Sequence, residues 1–84
     1  MQVGTQFTDT LNPGETGEWF SHGWPESEHV IWHCMPVTPE PGAPQIEWDV
    51  RAEHGSASLV TYWLTVTNIG SAALTFEGRY AALS

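Results

Sequence analysis

The sequence predicts an all-β protein, a small antiparallel β-sandwich of about six strands, on three observations. Glycine and proline, eight and six in 84 residues, interrupt the chain at short intervals and leave little room for a helix-length amphipathic run. Two segments, 45–53 and 59–68, alternate with the period of a strand that is wet on one side. Aromatic and β-branched residues, which suit a pleated, half-buried surface, crowd 59–68.

In chain order, 3–8 and 16–20 read as strands flanking Leu11-Asn12-Pro13-Gly14-Glu15, a turn signal that would let them form a first hairpin. Residues 25–35 support two readings. Pro25 at a first helical position, Glu26 and Glu28 in the first turn, and Val30, Ile31, Cys34 and Met35 on one side would suit a helix. A strand would bury Val30, Trp32 and Cys34, and the β-branched and aromatic run closed by Pro36 favours it. The next segment, 36–44, holds four prolines in nine residues; it is too stiff and too poor in donors for a central strand and reads as a loop crossing between sheets.

In 45–53, Ile46, Trp48, Val50 and Ala52 form the expected buried face, while Gln45, Glu47, Asp49, Arg51 and Glu53 face water. In 59–68, Val60, Tyr62, Leu64 and Val66 oppose Thr61, Trp63, Thr65 and Thr67. Thr67-Asn68-Ile69-Gly70-Ser71 reads as a hairpin loop into 73–83, where Leu74, Phe76, Gly78, Tyr80 and Ala82 share a face. Gly78 is expected to mark a bend or a bulge.

The length suits a single domain, 1–84, and a domain this small buries only about 60–65% of its unfolded surface. The single cysteine, Cys34, removes intrachain disulfides as reinforcement, leaving oligomerisation or a metal. Five tryptophans, each able to bury about 150–250 Å², supply aromatic bulk in place of chain length. They also exceed what a small interior holds, so one or two are expected at the surface.

Ten acidic residues against Arg51 and Arg79, with no lysine, give a net charge of -8. That balance excludes nucleic acid and anionic lipid as partners, and the scattered acids read as a solvated surface. No stretch has the roughly 18–20 apolar residues of a membrane span, and Met1-Gln2-Val3-Gly4 lacks the features of a signal peptide. A soluble chain without membrane insertion is expected, its compartment open.

No catalytic set emerges. His29 and His33 would share an ion only on a helix; on a strand they lie about 13 Å apart, so no metal or other cofactor is expected and the histidines read as surface or packing residues. Cys34 reads as a buried structural thiol, with His33 on the opposite face. Glu47 and Asp49 share a face about 7 Å apart but lack a companion acid.

Binding is the better reading. Glu47, Asp49 and Arg51 alternate on the wet face of one strand, and Trp63 faces outward on the next. Charged groups give directed hydrogen bonds to hydroxyls and an indole gives a platform for C–H groups, a pairing that suits a sugar ring. The alternative is a solvated, salt-bridged face with Trp63 in a subunit contact. The aromatic segment Trp19-Phe20-Ser21-His22-Gly23-Trp24-Pro25 reads either as a binding loop using His22 and Trp24 or as a plug closing the core. Trp24, between Gly23 and Pro25, is the indole expected to be exposed.

Three segments carry a resemblance over less than half the chain: Trp48-Asp49-Val50-Arg51-Ala52, Tyr62-Trp63-Leu64-Thr65-Val66-Thr67 and Gly78-Arg79-Tyr80-Ala81-Ala82-Leu83. From about Ile46 onward the chain resembles the H-type lectins. The resemblance implies a six-stranded antiparallel sandwich that trimerises and binds galactose-type sugars, with Arg51 at the arginine of the sugar site. Asn68-Ile69 stands where that family has an aromatic after its fifth strand, and Tyr80 where it has a tryptophan. The expected function is a non-catalytic, oligomeric, carbohydrate-binding module with a glycan ligand. The alternative is a self-assembling structural or protein-interaction domain, such as a secreted effector or toxin component, with tryptophans as interface anchors.

Overall fold

A computed structural model describes residues 1–83; Ser84, the last residue of the expected domain, lies outside them. The chain forms β1 (Gln2–Leu11), β2 (Thr16–Pro25), β3 (His29–Pro36), β4 (Ile46–His54), β5 (Leu59–Asn68) and β6 (Leu74–Leu83). The protein is all-β, built from two three-stranded antiparallel sheets with strand orders β1-β6-β3 and β2-β5-β4. No helix among the described residues is long and apolar enough to cross a membrane.

The ambiguous segment is a strand. In β3, Trp32 and Cys34 are buried and Val30 half-buried, while Ile31 and Met35 face outward. The proline loop after it crosses from one sheet to the other, since β3 pairs with β6 and β4 with β5.

The two central strands supply most of the core. Leu64 and Val66 of β5 and Leu74, Phe76, Tyr80 and Ala82 of β6 join Leu11, Trp32 and Cys34 in one buried cluster drawn from both sheets. Phe76, Leu64 and Val66 are sealed from solvent, and each such side chain contributes about 1.5–3 kcal/mol relative to exposure. Along one side of this cluster Phe7 of β1 stacks on Trp19 of β2, with centroids 5.3 Å apart and planes 7° apart. Both rings set edges against Phe76.

Two expected hairpins do not form. β1 and β2 lie in different sheets, as do β5 and β6, and only β4 and β5 are both consecutive and paired. The cause is a shared corner built on Asn68, whose side chain is fully buried. Its amide donates to the carbonyls of Leu11 (3.0 Å) and Ala72 (2.9 Å) and accepts from the Gly70 N–H. Its backbone holds the first turn as well: Gly14 N–H donates to the Asn68 carbonyl (2.9 Å) and Asn68 N–H to that of Glu15 (3.0 Å). Both sheet-changing turns are thus tied to one residue.

One expectation is made specific and another is corrected. Gly78 does mark a bulge, which lies on the strand opposite it. The register passes from Thr5 opposite Arg79 to Phe7 opposite Gly78, so the extra residue is Gln6 on β1. Gly78 is required because a Cβ there would meet the Phe7 ring at 2.3 Å. The apolar side of β4 is not fully buried either: Trp48 is 39% and Val50 38% exposed, because β4 is an edge strand.

Candidate functional site

The outward face of the β2-β5-β4 sheet gathers the charged and aromatic candidates, and the register sets their positions. Thr16, Thr67 and Glu47 form one rung, Glu18, Thr65 and Asp49 the next, and Phe20, Trp63 and Arg51 the third. Glu47, Asp49, Arg51 and Trp63 therefore share a face, with Arg51 directly opposite Trp63.

The polar groups hold one another in place. Arg51 Nη2 reaches diagonally across β5 to Glu18 Oε2 at 2.8 Å and donates to Thr65 Oγ1 at 3.3 Å. Among the described residues, its Nε and Nη1 hydrogens have no acceptor, so the guanidinium keeps donors free. Trp63 Nε1 donates to Glu53 Oε1 at 2.6 Å, which fixes the indole. Phe20 leans on Trp63 with centroids 5.3 Å apart and planes 37° apart, and exposed His22 stacks on Phe20 at 6.0 Å.

An open depression of about 310 Å³ is lined by Glu18, Arg51, Ala52, Glu53 and Trp63. A second, of about 270 Å³, is lined by Glu47, Trp48, Asp49, Thr65 and Thr67. A hollow of about 450 Å³ beside the proline loop is lined by Glu40, Pro41, Pro44, Gln45 and Ile69, among others. It offers no aromatic platform.

Trp24 does not belong to the face. The register jumps between Ser21 opposite Tyr62 and Trp24 opposite Val60, and the one extra residue reverses the alternation. Gly23, at φ +82°, takes a backbone conformation that other residues rarely adopt. Trp24 is turned inward as a result, half-buried, with its ring edge-on to Trp32 and Tyr80 and its Nε1 donating to Ser21 Oγ at 2.9 Å. The exposed indole is Trp48.

Glu18 and Phe20 join the face without having been singled out by sequence, and Glu53, read from the sequence only as water-facing, is joined to Trp63 by its side-chain bond. Alternation within 16–20 puts Glu18 and Phe20 on one side, but only the pairing of β2 with β5 shows which side that is. Elsewhere, Cys34 is buried and its thiol is pushed up to about 11 by that burial, which leaves it protonated at neutral pH. β3 separates His29 from His33 by four strand positions, and no group of three or more His, Cys, Asp or Glu side chains converges among the described residues. Compared with protein-family models, curated proteins and solved structures, the chain finds no match.

Proposed function

We propose that the chain is a non-catalytic carbohydrate-binding module, that its two sheets stack face to face as a β-sandwich, and that it works as a homo-oligomer, with a trimer favoured. The observation that carries the sugar reading is Trp63, fixed through Nε1 by Glu53 at 2.6 Å in an open depression beside Arg51 and Glu18. A pyranose presents C–H groups to an indole and hydroxyls to the charged groups around it. The carboxylates accept hydroxyl protons, and the unused donors of Arg51 approach ring or hydroxyl oxygens. His22 and Phe20 border the ligand.

The test is tryptophan fluorescence during titration with a glycan panel, in the parent chain and in Trp63→Ala. A saturable spectral change in the parent, lost in the variant, supports the reading. Silence across the panel overturns it.

A second reading, a self-assembling structural or protein-interaction domain, is favoured by a different observation. Trp48 and Val50 stand half-exposed on the uncharged side of β4, and Val3 and Ile31 are exposed on the other sheet. In a protein of charge -8, an uncharged stripe is where copies meet with least repulsion. The molar masses of the parent and of Trp48→Ser decide it: a drop to the monomer in the variant supports assembly through β4, and a monomeric parent overturns it.

A further inference from the structure

We propose, on the basis of the carbohydrate-binding reading, that the face takes an extended neutral oligosaccharide lying along β5, rather than one terminal sugar.

The length of the site argues for this. The two depressions sit on successive rungs of one face, the first around Trp63 and Arg51 and the second around Asp49, Thr65 and Thr67. From Trp63 to Thr67 the strand advances about 13 Å, more than one sugar ring covers. Each hollow alone, about 310 and 270 Å³, stands at or below the lower end of the roughly 300–1,000 Å³ typical of small-ligand sites. The Arg51–Glu18 pair marks the junction: Glu18 lines the first hollow, and Arg51 donates to Thr65, which lines the second. Both hollows are open to solvent, so a chain can run from one to the other.

The charge of the site argues for a neutral ligand. Glu18 and Glu53 line the first hollow and Glu47 and Asp49 the second. The one cation on the face, Arg51, is already paired. Uronate, sialyl or sulfated sugars meet net repulsion at both positions, whereas neutral hydroxyls find acceptors throughout. Trp63 supplies the stacking platform at one end, and Thr65 and Thr67 line the hollow at the other.

The experiment is calorimetric titration with neutral oligomers of glucose, galactose, mannose and N-acetylglucosamine, each from one to four units, with a sulfated oligosaccharide of matched length alongside. For the series that binds, affinity is expected to rise at least about tenfold from one unit to four, the worth of one or two added hydrogen bonds. Asp49→Asn combined with Thr67→Val is expected to remove that gain, bringing the affinity for four units down to that for one. Equal affinity for one unit and four overturns the extended site and leaves the sugar reading standing. Tight binding of the sulfated oligomer overturns the neutral ligand. No binding at any length overturns both this proposal and the sugar reading.

Discussion

Asn68→Ala tests the fold at the residue that holds both sheet-changing turns. The side chain is fully buried and makes three hydrogen bonds, to the Leu11 and Ala72 carbonyls and from the Gly70 N–H. A buried hydrogen bond contributes about 0.5–1.5 kcal/mol net, and stranding its partner costs more. Alanine strands all three partners, so the loss is about 3 kcal/mol or somewhat above. In a domain of this size that lowers the melting temperature by more than about 10 °C. Asn68→Asp is expected to be worse at neutral pH, because a carboxylate keeps the bond from Gly70 but turns an acceptor toward two carbonyl oxygens.

The assay is urea unfolding followed by tryptophan fluorescence, with Asn12→Ala, an exposed position in the first turn, as the control. An Asn68→Ala chain within about 1 kcal/mol of the control, below the ordinary worth of its lost bonds, would refute the corner argument.

Three other outcomes follow from the geometry. Gly78→Ala forces the Phe7 ring from its seat, since the added Cβ would lie 2.3 Å from it; the cost is about 1–3 kcal/mol, and a double-mutant cycle with Phe7→Leu should show it much reduced when the ring is gone. Cys34 should resist thiol reagents at pH 8 until the chain unfolds. Burial raises its pKa to about 11 from the ordinary thiol value of 9.0, so its contribution is complete below about pH 9 and is lost as pH rises from there through 11, which pH-dependent unfolding would register. Glu18→Gln breaks an ion pair whose partners are both more than half exposed, so stability should change by less than about 1 kcal/mol, while sugar affinity, if the proposed face is correct, should fall.

The strands were legible in the sequence wherever alternation was unbroken. β5 and β6 show in the structure the faces their period announces, because a central strand is covered along its whole length and its parity has only one solution. The corner at Asn68 was not legible. The same five residues, Thr67-Asn68-Ile69-Gly70-Ser71, suit a hairpin loop and a change of sheet equally well, and the difference lies in carbonyls at Leu11 and Ala72 that are remote in sequence or hidden in the turn itself. Trp24 was misplaced for a related reason. A bulge is one extra residue, invisible to a period of two until the partner strand is known, and it inverts every assignment beyond it. On the candidate face, Glu47, Asp49, Arg51, Glu53 and Trp63 came from parity alone, whereas Glu18 and Phe20 depended on strand pairing, and the bond that ties Glu53 to Trp63 on the structure.

The two long sides of the molecule explain why the exposed chemistry collects where it does. On the β1 and β2 side, glycines open space for rings: a Cβ on Gly17 would meet Trp19 at 2.4 Å, and one on Gly78 would meet Phe7 at 2.3 Å. Those aromatics can therefore lie flat against the backbone and seal that side on Phe76. Neither β3 nor β4 contains a glycine, so Trp48 and Val50 stay at the rim of β4, half in water. A chain this short cannot close both sides with the same few large residues. The side it leaves open carries the apolar residues suited to assembly, and the carboxylates and arginine of the candidate face lie on the opposite surface of the same strand. A substitution on β4 therefore has to be read for the proposed assembly and the proposed binding together, because neighbouring residues along one strand point alternately to the two sides.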